Sequence, residues 1–331
     1  MFKQLLLLAV PAFFVLSSCS NDFELTADWE DIPVVYGLLN LSDTAQYIRI
    51  EKAFLDKTTS ALVLAQVADS IYYQQLVAEL IEKDQFGNPV TQYPLTRVDG
   101  NNEGYPRETG VFANSPNYLY KTTTTLDPDR IYELRMQNNE NGKVVTAETG
   151  VIGPFSMVAP TSGASMRFDY NGTRSFIWDP PANAMVFDLT VELNYLEAPI
   201  SDPTNKTAKS ATWVLTRGFQ SDDRITFKAL GIEFYRTLAN QIEEGPFIRE
   251  FVDMDVILDA GGEHLANYLS VGKANAGITG AQDDIPSYSN LSEGRGIFST
   301  RYRLINPGLV LNVTSRDSLL EGQYTRHLNF E

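Results

Sequence analysis

Phe176-Ile177-Trp178-Asp179-Pro180-Pro181, followed by the run Ala184 to Tyr195, is the stretch that decides the fold. An aromatic and β-branched segment ends at a Pro-Pro stop, and an alternating segment follows it. Both halves read as β-strands, with the prolines as the turn between them. The same pattern recurs on both sides. Ile32 to Leu39 is a continuous apolar run with Val34 and Val35, and reads as a buried strand. Tyr47 to Phe54 places Ile48, Ile50 and Phe54 on one face and Tyr47, Arg49 and Glu51 on the other, as a half-buried strand requires. Gln75 to Lys83 and Val90 to Leu95 flank Phe86-Gly87-Asn88-Pro89 and read as a hairpin. Tyr118 to Thr125, Ile131 to Met136 and Lys143 to Thr149 follow with Pro, Gly and Asn turns between them. Short strands at this spacing predict antiparallel sandwiches.

The second half adds strands at Thr212 to Phe219, Phe247 to Leu258 and Leu309 to Val313. The alternating end, Tyr324 to Phe330, is expected to close a sheet. Two stretches break the β period. Ile232, Tyr235, Leu238, Ala239 and Ile242 fall at helical spacing and predict one amphipathic helix near 231–242. Ser60 to Asp69 and Glu263 to Leu269 predict only a turn or two of helix. Val151-Ile152-Gly153-Pro154 is the natural boundary. The expected organisation is therefore residues 31–153 as one β-sandwich and residues 154–331 as a second, the second with an inserted helix. The strand with its Trp before Pro-Pro, then an alternating strand ending in Tyr195, resembles the early strands of fibronectin type III and immunoglobulin-like domains.

The chain opens with Lys3 and an apolar run from Leu5 to Leu16, interrupted by Pro11. Such a run is too short to span a bilayer and fits the core of an export signal. Ser17-Ser18-Cys19 is similar to the lipobox of bacterial lipoproteins. That resemblance implies cleavage after residue 18, acylation of Cys19 and insertion into outer-membrane lipid; residues 19–30 then form a lipidated tether. Ser20-Asn21-Asp22-Phe23-Glu24 resembles the acidic export signal of surface lipoproteins in Bacteroidota, with Asn21 where an acid is usual. It implies the cell exterior, with the periplasmic face as the alternative. Cys19 is the sole cysteine, so its acylation leaves no thiol for a disulfide, a metal or a nucleophile.

The formal net charge is −16 and becomes −17 when Lys3 leaves with the signal. This excludes a nucleic-acid partner, which needs concentrated Lys and Arg. It fits solubility at a charged surface.

Two later passages carry a second resemblance. Val256-Ile257-Leu258-Asp259-Ala260-Gly261-Gly262-Glu263-His264-Leu265-Ala266-Asn267-Tyr268-Leu269 is one. The other runs from Pro286-Ser287-Tyr288-Ser289-Asn290-Leu291 through Gly294-Arg295-Gly296-Ile297-Phe298-Ser299 to Tyr302. Together they resemble a family of uncharacterised Bacteroidota lipoproteins associated with outer-membrane nutrient-uptake or secretion genes. The resemblance implies an accessory role beside a β-barrel transporter or secretion component, and no particular chemistry. The Gly-x-Gly segment itself reads as a structural turn, since it lacks the Lys-Ser/Thr ending of a phosphate loop.

Signals for catalysis are sparse. His264 and His327 are the two histidines, without zinc-protease spacing. No Gly-x-Ser-x-Gly elbow and no dinucleotide fingerprint occurs, so no cofactor and no metal is expected. Asp253 and Asp255 flank Met254 and share a strand face, which reads as solvated rather than calcium-binding. The loop Asp99 to Pro116, with Tyr105 and Phe112, is the candidate place for a glycan to stack. Asp43-Thr44-Ala45, Asp69-Ser70-Ile71 and Asp317-Ser318-Leu319 resemble the O-glycosylation acceptor motif of Bacteroidota, which makes Thr44, Ser70 and Ser318 candidate modification sites. The expectation is a non-catalytic surface lipoprotein that captures a ligand or serves a transport complex. A carbohydrate-binding protein and a carboxylate-dependent hydrolase are the alternatives.

Overall fold

A computed structural model describes residues 32–54, 59–275 and 287–331. Cys19 and the segment Ser20 to Glu24 lie outside the described residues. The chain is mainly β, with several sheets.

In the first half, β1 (Pro33–Leu39) and β2 (Gln46–Lys52) are followed by two short helices, α1 (Ala61–Leu64) and α2 (Ala68–Ile71). The hairpin β3 (Leu76–Lys83) and β4 (Pro89–Pro94) comes next, then β5 (Thr96–Asp99), β6 (Tyr118–Thr122), β7 (Ile131–Asn138) and β8 (Val144–Gly150). In the second half, β9 (Met157–Ala159), β10 (Ser165–Met166) and β11 (Thr173–Trp178) lead into the long pair β12 (Val186–Pro199) and β13 (Thr207–Gln220). Then come β14 (Ile225–Leu230), α3 (Gly231–Gln241), β15 (Phe247–Gly261) and α4 (Glu263–Asn275). The chain ends with β16 (Arg295–Leu311) and α5 (Val313–Glu321).

One large sheet runs β13-β12-β15-β16-β1-β2-β6-β5, with β10 also on β16. A four-stranded sheet, β4-β3-β7-β8, and a three-stranded one, β14-β11-β9, complete the layers. The joint is β16. Its residues 295–300 run parallel to β1, and its residues 301–309 run antiparallel to β15. The expected boundary at residues 153/154 falls between β8 and β9, and β16 crosses back over it.

Side chains alternate across a strand, and β16 uses this to serve two cores. Phe298 packs with Val35, Ile48, Leu80, Leu134 and Val145, between the large sheet and the four-stranded one. Tyr302 and Leu304, on the same face of β16, pack against a second cluster. That cluster joins Leu189, Val191, Met254, Val256 and Leu258 of the large sheet to Phe176, Trp178 and Ile225 of the three-stranded sheet. Phe234, Tyr235 and Leu238 of α3 complete it. The two cores therefore lie side by side on one face of a continuous sheet, a β-sandwich-like arrangement. The odd-numbered residues Ile297, Ser299, Arg301, Arg303 and Ile305 face the other way. There α4 covers the middle of the sheet: Leu265 N–H donates to Ser299 Oγ at 3.2 Å, and the Tyr268 ring meets Tyr36 edge-on.

The glycine motif expected as a turn is instead the entry to β16. Gly294 and Gly296 have φ of +114° and +97°. The end of the chain also differs from the expected sheet-closing strand. Arg326–Leu328 forms a 3₁₀ turn and Asn329 takes a left-handed conformation, so only a single bridge, Arg249 to Phe330, remains. Helix α5 occupies residues beyond Asn312, whose side chain accepts from Ser315 N–H as an N-cap.

The outer edge strand β13 is guarded at one point. Gln241, at the end of α3, accepts from Thr212 N–H at 2.9 Å and donates to Thr212 C=O at 2.5 Å, as a neighbouring strand would. Gln241→Ala should speed amide exchange at Thr212 while the amide of Trp213, turned toward β12, stays protected. The cost in global stability should be about 1 kcal/mol. Unchanged exchange at Thr212 would show that the edge does not depend on this side chain.

Candidate functional site

The uncovered part of the large sheet's outer face carries a groove of about 490 Å³. Its floor is Asp188 on β12, Asp259 on β15, and Arg301 and Arg303 on β16. One wall is Leu265 and Leu269 of α4, and Leu38, Asn40 and Asp43 close the end beyond β1. Cross-strand register makes the floor: Asp188 stands opposite Asp259, and Asp259 opposite Arg303.

The charges are held in pairs. Arg303 Nε and Nη2 donate to Asp259 Oδ1 and Oδ2 at 2.6 and 2.9 Å, a two-pronged guanidinium–carboxylate fork. The fork holds the Arg303 guanidinium above its ordinary value. Arg301 Nη2 lies 3.4 Å from Asp43 Oδ2, and Asn40 Nδ2 donates to Asp43 Oδ1 at 2.9 Å. Asp188 Oδ1 accepts from Gly218 N–H at 2.6 Å. The Arg303 and Asp259 side chains are 61% and 42% exposed, so solvent screens their attraction. Arg303→Ala should therefore change the unfolding free energy by less than about 1 kcal/mol. A larger loss in urea titration would make the fork a structural brace rather than part of a site.

Tyr36 lies on the same face, between α4 and the N-terminal strands. Burial, and then its hydrogen bond with Tyr268, push its hydroxyl up to about 12. Asp253 and Asp255 share this face, as their spacing predicts. Asn194 Nδ2 donates to Asp253 Oδ1 at 2.9 Å and to Asp255 Oδ2 at 3.2 Å, and Gly308 N–H donates to Asp255 Oδ1. Among the described residues, no group of three or more His, Cys, Asp or Glu side chains is placed to hold a metal.

The loop holding Tyr105 and Phe112 folds back over the outer face at the other end of the sheet. It is tightly tied: Asp99 accepts from the backbone N–H of Asn101 and Asn117, and Asn117 Nδ2 donates to Tyr105 C=O at 2.7 Å. Both rings are exposed. Tyr105 packs on Tyr47 at 4.7 Å, whereas Phe112 meets Phe54 edge-on and lies under Arg107. Among the described residues no ring contact joins the two, so they do not share one platform.

His264 lines a smaller cleft of about 350 Å³ with Asn183, Asp222 and Glu263. Its Nδ1 lies 2.7 Å from Tyr288 Oη, and the two rings stack. Thr44 is exposed in the turn after β1, and Ser70 is half-buried on α2. Ser318 is half-buried on α5, its hydroxyl donating to Thr314 C=O.

Sequence reasoning did not single out Arg301, Arg303, Asp188 or the role of Asp259. The available signal was alternation: Arg301-Tyr302-Arg303 repeats cations at strand spacing, and Asp255-Val256-Ile257-Leu258-Asp259 holds acids and an isoleucine on one face.

No family model matches the chain, and no curated protein matches it. Among solved structures, it is similar to the C-terminal globular domain of an oligosaccharyltransferase from Pyrococcus abyssi. Identity is 11% over 68% of this chain and 46% of that one, with a TM-score of 0.24. The chain thus spans about half the length of that domain structure, and a likeness this low carries no argument about function.

Proposed function

We propose that this chain is a non-catalytic, exported lipoprotein that captures a polar ligand in the outer-face groove and serves as an accessory subunit of an outer-membrane transport or secretion complex. In this reading Cys19 anchors it in outer-membrane lipid, toward the cell exterior. Residues 31–153 and 154–331 form two immunoglobulin- or fibronectin-like sandwiches, the second with α3 inserted.

The observation that carries the reading is the pairing within the groove. Asp259 is committed to the Arg303 fork and Asp43 to Arg301. Carboxylate oxygens already engaged by guanidinium groups are held in place as fixed acceptors, a geometry that suits binding a polar ligand. Planar Asp, Asn and Arg groups beside an apolar wall also suit vicinal sugar hydroxyls, so a carbohydrate is the ligand class to try first. Position supports access. The proposed tether is residues 19–30 and β1 starts soon after it at Pro33, whereas Leu38, Asn40 and Asp43 lie at or beyond the far end of β1, about 20 Å from Pro33 at ~3.3 Å per residue. A groove there points away from the anchored end.

The test is a pull-down from crosslinked outer membranes of the native host, with a tag after the exposed Glu331. One β-barrel component recovered in near-equal amount is the expected result. Recovery of the protein alone would sink the accessory role and leave glycan arrays, with Arg303→Ala as the control, to test capture.

A further inference from the structure

Starting at the floor of the groove and continuing beyond it, the outer face of β13-β12-β15-β16 carries residues in straight cross-strand rows. Asp188, Asp259 and Arg303 form the first row. Val214, Thr190, Ile257 and Ile305 form the second, and Thr212, Glu192 and Asp255 the third. Asn194 and Asp253 continue a fourth with Ser210. An aliphatic row thus crosses the sheet between two acidic ones. Ile305 is 52% and Val214 40% exposed. Helix α4 reaches β13 at Gln220, whose side chain bonds Ala266 C=O and Ser270 Oγ.

The arrangement works against the fold's own stability. Like charges directly opposite each other in a sheet are destabilising, by roughly 0.2–1 kcal/mol per pair. Asp188 faces Asp259, and Glu192 faces Asp255. Arg303 relieves the first pair and also attracts Glu192 of the second, but among the described residues no cation lies in ion-pair contact with either member of the second. The exposed Ile305 and Val214 in an open sheet are a further liability. The four rows hold five carboxylates against Arg303. Such local conflicts concentrate where a surface serves something other than folding.

We infer that this face docks a protein partner through an aliphatic ridge flanked by lysines or arginines. The inference rests on the accessory-subunit half of the reading above and not on the groove's ligand. Charge complementarity selects the partner: five carboxylates in this small area repel an acidic surface and steer a basic one. The three gaps of ~4.8 Å between four strands and the three of ~6.8 Å between four rows enclose a patch of about 300 Å². That is the centre of a standard interface of ~800 Å² per partner, so the β12–β13 hairpin and α4 would supply the rim.

The experiment uses the full lipoprotein in its native outer membrane, with a photoreactive phenylalanine analogue at Ile305 and, as control, at Phe86. Phe86 is exposed on the turn between β3 and β4. The expected result is one discrete adduct from position 305 and none from position 86, with the crosslinked partner peptide holding lysine or arginine beside aliphatic residues. Its yield should fall at least about tenfold with Glu192→Lys, and also at ~1 M salt, where the screening length is ~3 Å. Among the described residues the Glu192 side chain makes no hydrogen bond that this change would break; within the fold the change replaces an attraction to Arg303. Absence of a 305 adduct while the tagged protein still recovers its partner would overturn this face and leave the accessory role standing. Recovery of no partner by either route would remove both. An adduct indifferent to Glu192→Lys and to salt would overturn the basic partner.

Discussion

Arg249→Met should lower the unfolding free energy by about 3–5 kcal/mol, the range for breaking a buried ion pair. Arg249 on β15 and Glu197 on β12 are both buried, at 1% and 6% exposure. Arg249 Nε donates to Glu197 Oε2 at 2.8 Å, Nη1 to Leu328 C=O at 2.5 Å and Nη2 to Glu243 C=O at 2.8 Å. Its backbone N–H donates to Asn329 C=O, and its own C=O accepts from Glu331 N–H. One guanidinium thus ties the end of α3, the long strands and the last residues of the chain together. Methionine fills similar volume but offers no donor. Two carbonyls lose this donor, and among the described residues Glu197 keeps the half-exposed Lys209 as its one cation. Removing the charge from both sides, as Arg249→Met with Glu197→Leu, should recover much of the loss, because replacing a whole buried pair is often neutral. Urea midpoints for the two variants check this, and similar losses in both would refute it.

Acidity provides a second check on the same pair. Burial pushes the Glu197 carboxyl up, but hydrogen bonds from Lys209 and Arg249 outweigh it and hold the group below its usual 4.5. A carboxyl depressed in the folded state contributes its stability above the unfolded value and loses it as pH falls through the folded one. The native protein should therefore lose stability below about pH 4.5 more steeply than the double variant.

Legibility followed the range of the interactions. The strands β2, β12 and β15 could be read because alternation is local: Ile48 and Ile50, or Met254, Val256 and Leu258, declare the buried face themselves. Of the 17-residue β16 only the end could be read, as a strand over Leu309 to Val313, of which Leu309 to Leu311 are in β16 and Val313 starts α5. Its glycines look like a turn, its middle is the polar run Thr300 to Arg303, and its parallel partner β1 lies some 260 residues earlier. Helix α5 lacks an apolar period and was not expected from the sequence; its Asn312 cap is a finding of the structure. At the end of the chain, Tyr324 to Phe330 alternates by type, yet the left-handed Asn329 breaks the strand. The groove was illegible for the same reason as β16. Asp259 and Arg303 are 44 residues apart, and only register brings them together. The aromatic loop was legible as a loop, but composition could not reveal that Tyr105 and Phe112 pack on different neighbours.

Gly296→Ala should be as damaging as the loss of Arg249, and for a different reason. A Cβ on Gly296 would lie 1.9 Å from Val35 C=O and within 3.1 Å of two other Val35 backbone atoms. Nothing flexible can give way there, because the obstruction is the backbone of β1 itself. Backbone strain at a φ of +97° adds ~1–3 kcal/mol, and the overlap adds a similar amount as overpacking. Gly308, also on β16, separates these contributions. Its φ is +74°, but a Cβ there would meet nothing within 4 Å. Gly308→Ala should therefore cost only the strain, about 1–2 kcal/mol, while Gly296→Ala costs roughly twice that or more. Parallel pairing of β1 with β16 is also what carries Phe298 into the first core. Forcing the strands apart should loosen that core before the second, so amide protection should fall at Val35 and Leu80 while Leu258 and Trp178 hold theirs. Equal losses in both cores would mean that the large sheet unfolds as one unit, and that β16 transmits strain from one core to the other rather than merely joining them.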